Sequence, residues 1–244
     1  TTAIVPVHVF GNACEVEEIE TIACKHNLKV IYDAAHAFGV KYKGESLLSY
    51  GDASILSFHA TKLFHTVEGG AIVFKNKADY ERARKMINFG IDGPDSIAEL
   101  GINAKMSEFQ AAMGLCVLDE IGTIMEKRAN IWNLYKDKLE NSVQLQKRNP
   151  YCSNNYSYFP AVFENEKELL KVKSALEDEK INPKRYFYPS LETLSYVANQ
   201  IKPLSNNITT RIMCLPLYAN LDTNRLKQII DVVGAFPNEN VCSY

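Results

Sequence analysis

One lysine stands where its amine could react. Lys62 lies in the stretch SILSFHATKLFHTVEGGAIV, residues 54–73, just past a short apolar run of Ile55, Leu56 and Phe58. A turn with Glu68, Gly69 and Gly70 follows, then a second apolar run from Ala71 to Phe74. A carboxylate in a matching place is Asp33, directly after the apolar run Leu28 to Tyr32. The amine is a nucleophile only after losing its proton, so a free pKa of about 10.4 has to fall on site. The same two groups could form an ordinary ion pair, and for an arbitrary pair in an α/β protein that is the better reading. Here both are flanked by small or hydroxyl residues, Ala34, Ala35, Ser57 and Thr61, which leave room for a ligand.

The elements that must position these groups follow from the pattern. Ala3 to Phe10 is apolar and β-branched and reads as a buried strand, broken at Gly11-Asn12. Glu15 to His26 reads as a helix with Ile19, Ile22 and Ala23 on one face, and Leu28 to Tyr32 as the next strand. Strand, helix and strand make a βαβ unit and a parallel sheet, where ligands gather at the carboxyl ends of strands. Asp33 is at such an end. Ser54 to Phe58 and Ala71 to Phe74 read as strands, Asp79 to Asn88 as a surface helix and Phe89 to Asn103 as a long loop. Ser107 and Gln110 form a capping box for a helix, and a second helix carries Trp132, Tyr135 and Leu139. A domain boundary near residue 125 separates residues 1–125 from a smaller α+β domain, 126–244. That second domain reads as strand Tyr156 to Phe163, helix Lys167 to Glu179, strand Ile181 to Arg185, strand Arg211 to Leu215 and helix Thr223 to Val233.

Composition narrows the function classes. The chain has 244 residues, 46% of them hydrophobic, and a formal net charge of −2. Acids and bases are interspersed, so no basic stripe invites nucleic acid. No stretch approaches the ~18–20 apolar residues of a membrane helix. The cysteines, 14, 24, 116, 152, 214 and 242, form no CxxC pair and no metal-ligand spacing. They read as free thiols of a reducing cytoplasm, with no metal site.

Taken in order, several motifs resemble one family. Asp33-Ala34-Ala35-His36-Ala37, Gly51-Asp52-Ala53, Ser57-Phe58-His59-Ala60-Thr61-Lys62 and Glu68-Gly69-Gly70-Ala71 resemble the DegT/StrS sugar aminotransferases, fold-type-I enzymes dependent on pyridoxal 5′-phosphate. Gly101-Ile102-Asn103-Ala104-Lys105-Met106-Ser107, Asn155-Tyr156-Ser157-Tyr158-Phe159-Pro160, Arg185-Tyr186-Phe187-Tyr188-Pro189 and Leu215-Pro216-Leu217 agree with it. The resemblance implies that Lys62 forms the Schiff base with the cofactor and that Asp33 faces its pyridine nitrogen. It places Ser57 on the phosphate and His36 beside the ring and its phenolic oxygen. Asn103 would reach the phosphate of a neighbouring subunit's cofactor, making a homodimer with shared active sites. Lys105 stands where the family usually has Arg. An ionised carboxylate suits the place of Asp33, because it favours a protonated ring nitrogen.

Arg185, Tyr186 and Tyr188 form an aromatic-basic cluster suited to a sugar or diphosphate, and equally to packing. His59 and His65 flank Lys62 and fit either packing or ligand contact; His8 and His26 read as structural. The resemblance further implies a mostly parallel large domain that is N-terminally truncated. The family's phosphate-binding turn and ring-stacking aromatic precede Ala3 and are not in the sequence. The expected activity is cytoplasmic amination of a nucleotide-linked 4-keto-6-deoxysugar, dTDP-linked for preference, with L-glutamate as donor, for a cell-surface polysaccharide. Amination at C3 and a non-catalytic dimer partner are the alternatives. A dehydratase of the same fold would lack the lysine.

Overall fold

A computed structural model describes residues 1–197, 200 and 202–236. The chain divides into two units, Thr1–Gly122 with Arg148–Asn155, and Thr123–Lys147 with Tyr156–Tyr244.

Parallel pairing builds the first unit. β1 (Ala3–Ile4) leads through helix α1 (Val16–His26) to β2 (Lys29–Asp33), and the two strands run parallel. Asn27 ends α1 in the left-handed conformation, with φ 50°. After the hairpin β3 (Lys41–Tyr42) and β4 (Glu45–Ser46), β5 (Ala53–Ser57) adds to β2 in parallel. β6 (Gly70–Phe74) returns antiparallel to β5, giving the sheet order β1-β2-β5-β6. Val30 and Tyr32 of β2 face a core of Val16, Ala23, Ala34, Ala37, Val40, Leu47 and Leu56.

The strand expected over Ala3 to Phe10 is much shorter. Pro6 cannot donate to a ladder, and its carbonyl instead accepts the Asp33 N–H at 2.9 Å. Phe10 and Gly11 are both left-handed, with φ 56° and 72°, and close a 3₁₀ turn, Val9–Gly11. The long loop after helix α2 (Lys77–Met86) contains the hairpin β7 (Ile91–Gly93) and β8 (Ser96–Ile97). Its base closes on glycine, since a Cβ on Gly90 would lie 1.7 Å from the Glu99 carbonyl.

Helix α3 (Glu108–Leu139) runs 32 residues without a break, where two helices were expected. Residues 118–131 hold no proline, and a glycine such as Gly122 costs only about 1 kcal/mol in a helix. The capping box at its start forms: the Ser107 N–H donates to Gln110 Oε1 at 2.9 Å and the Gln110 N–H to Ser107 Oγ at 3.3 Å.

The second unit holds β9 (Gln144–Leu145), β10 (Phe159–Val162), α4 (Glu166–Asp178), α5 (Pro203–Arg211), β11 (Ile212–Leu215) and α6 (Thr223–Gly234). The three strands form an antiparallel sheet in the order β11-β10-β9. Leu169, Val172 and Leu176 of α4 and Leu226, Ile229 and Val233 of α6 cover it, packing on Phe159, Ala161, Met213 and Leu215. Ile181 to Arg185 is not a strand; only Lys184 bridges to Cys214. Five of the cysteines are free, and Cys242 lies outside the described residues.

Leu176 is fully buried and Leu170, on the same helix, is 47% exposed. Leu176→Ala is expected to lower unfolding free energy by about 2–5 kcal/mol. Leu170→Ala is expected to change it by about 0.5 kcal/mol or less. Urea denaturation of the two variants measures the contrast.

Candidate active site

Asp33 ends β2 and Ser57 ends β5, and these strands are parallel with Asp33 aligned to Ile55. Both side chains therefore emerge at the carboxyl edge of the sheet. Asp33 Oδ1 accepts the Ala35 N–H at 3.0 Å, which tightens the chain as it leaves β2. The negative field of Asp33 reaches His8, His36 and Lys62, and in each it favours the protonated form.

The loop bearing Lys62 is pinned at both ends. The Phe58 N–H donates to the Gly69 carbonyl at 2.8 Å and the Thr66 N–H to the Phe58 carbonyl at 2.9 Å. Inside it, the Lys62 N–H donates to the His59 carbonyl at 2.9 Å. His59 Nδ1 accepts the Thr61 N–H at 3.2 Å, and its Nε2 lies 3.6 Å from the Glu68 carboxylate. Phe38, Phe58 and Phe64 pack at 4.5–4.8 Å around Phe64 and give this side of the loop an apolar backing. Burial lowers the Lys62 pKa, and the attraction of Asp33 only partly opposes it. The amine is thus easier to deprotonate than a free lysine.

His36 is buried, and its Nδ1 accepts the Phe10 N–H at 3.0 Å. Its pKa falls to about 4, chiefly by burial and further by Lys62, against Asp33. His8 is fully buried with its ring stacked on Tyr32 at 4.4 Å. Burial takes its pKa to about 4 as well, with Asp33 opposing. Nothing in the sequence marks His8 as a neighbour of Asp33, yet its N–H donates to the Asp33 carbonyl at 2.9 Å.

The other expected site residues lie elsewhere. Asn103 sits exposed on the glycine-closed loop, and its Oδ1 accepts from Lys105 Nζ at 2.8 Å. Lys105 in turn lies 4.4 Å above the Phe89 ring. In the second unit, Arg185 donates to Glu166 at 2.8 Å and to the Thr210 carbonyl at 2.8 Å, stapling the start of α4 to the end of α5. Its guanidinium lies 3.6 Å over the Tyr188 ring, while Tyr186 stacks on Phe187 at 4.9 Å. The first unit thus gathers Lys62, Asp33, His36 and Ser57; Arg185, Tyr186 and Tyr188 belong to the second.

The profile of the DegT/DnrJ/EryC1/StrS aminotransferase family matches residues 1–234. The chain belongs to this family. It is 39% identical over 241 residues to a dTDP-4-amino-4,6-dideoxy-D-glucose transaminase of Shigella dysenteriae, covering 96% of this chain and 66% of that protein. It is 35% identical over 233 residues to the Escherichia coli protein of the same name, covering 91% and 63%. DesI, solved in the presence of its TDP-sugar product, superposes with a TM-score of 0.86 at 30% identity, over 96% of this chain and 62% of that one. The chain therefore spans just under two thirds of these relatives. The family uses pyridoxal 5′-phosphate. An amine of lowered pKa, a carboxylate near it and a neutral buried imidazole fit that group.

Both buried histidines have folded pKa values below the unfolded value of about 6.5. The unfolded chain then binds protons that the fold refuses. Their contribution is complete above about pH 6.5 and is lost as pH falls from there toward 4, on the order of 2–3 kcal/mol for each. Gln at position 36 can accept the same N–H but cannot titrate. Urea midpoints at pH 7 and 4.5 should show His36→Gln removing about half of the acid sensitivity that the two histidines confer.

Proposed function

We propose that this chain carries the active site of a pyridoxal-phosphate-dependent aminotransferase acting on a nucleotide-linked 4-keto-6-deoxysugar. The observation that carries the reading is Lys62: an amine with a burial-lowered pKa, in the field of Asp33, on a loop pinned at the carboxyl edge of β2 and β5. The cofactor, when bound, supplies an electron sink for the substrate carbon. Lys62 would hold it covalently through Nζ, and once the incoming amine has displaced that Nζ, the freed amine would take and return the proton at the reacting carbon. Asp33 keeps the proton on the pyridine nitrogen by Coulomb attraction. His36 would lie against the phenolic oxygen, and the Ser57 hydroxyl would donate to the phosphate.

The similar transaminases are named for a dTDP-linked sugar aminated at C4, which supports that nucleotide and that carbon over C3. We assign L-glutamate as amino donor, Tyr186 and Tyr188 to the sugar nucleotide, and Arg185 behind Tyr188. The product would serve a cell-surface polysaccharide, made in the cytoplasm. We also infer a homodimer in which Asn103 serves the partner's site. Phe109, Leu100 and Ile97 support it, being 91%, 89% and 75% exposed on the first unit. Large apolar side chains this exposed favour burial against a partner.

Adding pyridoxal phosphate to the protein should produce a visible band that Lys62→Ala abolishes; a wild-type protein without the band would sink the reading. Asp33→Asn should keep the band and lower turnover at least about a hundredfold, the scale of a lost electrostatic contact in a site. Turnover is read by mass and NMR of the aminated product, with a panel of nucleotide keto-sugars and glutamate. Phe109→Glu should shift the sedimentation of the protein from dimer to monomer.

A further inference from the structure

His36 is held on three sides by groups that have no part in the chemistry above. The Phe10 main-chain N–H donates to its Nδ1 at 3.0 Å, so that nitrogen is the unprotonated one. In the neutral ring the hydrogen is then on Nε2. The Phe10 ring lies nearly parallel to the imidazole, 5.9 Å away at 11°, and limits its rotation. Behind it, the amide of Asn155 donates to the carbonyls of His36 at 2.8 Å and Phe38 at 3.0 Å. Asn155 is fully buried, and turning the His36 backbone would strand that amide away from water.

The arrangement needs an unusual backbone. Phe10 aims its N–H from a left-handed conformation, φ 56°, which is unfavourable for a residue other than glycine. Gly11 continues the turn at φ 72°, and a Cβ there would lie 2.7 Å from Asn155 Oδ1 and 2.9 Å from the His36 carbonyl. Gly11, His36 and Asn155 are therefore packed as one body. Arg148 holds the other side, donating to the Gly11 carbonyl at 3.2 Å and the Ser153 carbonyl at 2.9 Å.

We propose that Asn155 and the Phe10–Gly11 turn are a positioning device that locks His36 as the Nε2–H tautomer, so that the ring offers one neutral donor to the phenolic oxygen of pyridoxal phosphate. The ligand in that statement rests on the reading of the site above; the clamp is a property of the chain alone. The charged groups that act on the ring are Lys62, which disfavours its protonation, and Asp33, which favours it. Burial outweighs both and keeps the ring neutral. Without the Phe10 N–H, either nitrogen could carry the hydrogen, and part of the population would present an acceptor where a donor is needed.

Nitrogen-15 NMR of histidine-labelled protein tests the clamp, with the His36 signals assigned by their loss in His36→Gln. The expected wild-type pattern is an unprotonated Nδ1, a protonated Nε2, and a coupling through the hydrogen bond between the Phe10 amide nitrogen and Nδ1. In Asn155→Ala the two nitrogens should average and the coupling vanish, while circular dichroism stays native. A protonated or averaged Nδ1 in the wild type overturns the clamp, as does a folded Asn155→Ala protein with unchanged His36 signals. The wild-type coupling decides the matter even if that variant does not fold. Pyridoxal phosphate should then move the Nε2–H signal and leave Nδ1 in place. A locked tautomer with an unresponsive Nε2 overturns the ligand and spares the clamp; a cofactor-binding protein with a mobile tautomer overturns the clamp and spares the ligand.

Discussion

The parallel register of β2 with β5 is the constraint on which the site depends. Because Asp33 aligns with Ile55, both strands run out at the same sheet edge and in the same direction. An antiparallel pairing would have put the end of one strand beside the start of the other. Parallel strands need a crossover, and the chain leaves the sheet at Asp33, the carboxyl end of β2, where ligands gather in such sheets. β6 then turns back antiparallel, and its start at Gly70 anchors the far end of the Lys62 loop beside Ser57. The reactive loop is short and is tied by main-chain bonds at both ends, which makes its geometry a consequence of the sheet.

Two opposing effects set the electrostatics at that edge. Burial disfavours charge on Lys62, His8 and His36, and the Asp33 carboxylate favours it on each. Burial is the larger effect in all three. The outcome is one carboxylate beside two neutral imidazoles and an amine that loses its proton more easily than a free lysine. The Asp33 carboxylate would be available to a cationic ring nitrogen placed beside it. Were Lys62 more exposed, hydration would favour its charged form and hold its pKa nearer the free value.

Much of this was legible in the sequence because it is local. An apolar, β-branched run followed at once by Asp33 reads as a strand end, and the capping box at Ser107 reads from two residues. What was not legible depends on distance or handedness. Asn155 meets the carbonyl of His36 across 119 residues of sequence, and no periodicity announces such a contact. Gly11-Asn12 marked a turn, but the left-handed Phe10 before it looked like one more strand residue. Arg185 stood out by composition beside Tyr186 and Tyr188, while its bonds to Glu166 and the end of α5 follow only from the packed fold. The continuity of α3 was missed for the opposite reason: nothing local stops that helix, and the change of unit at Gly122 leaves its hydrogen bonding intact.

The strained turn at Phe10 is best understood from the other side of His36. A left-handed phenylalanine is unfavourable wherever the chain has an alternative, and here the pairing with β2 has already ended, its last main-chain bond running from the His8 N–H to the Asp33 carbonyl. With the strand stopped, the Phe10 N–H has no sheet partner, and a buried N–H left unpaired would cost about 1–3 kcal/mol. Donating to His36 Nδ1 removes that penalty and offsets the strain of about 1–2 kcal/mol in the same contact. The hydrogen bond therefore satisfies the turn as much as it orients the imidazole. A side chain at position 36 with no acceptor would destabilise the turn, and a turn without its left-handed residue would free the ring. The strain and the tautomer are two consequences of one bond.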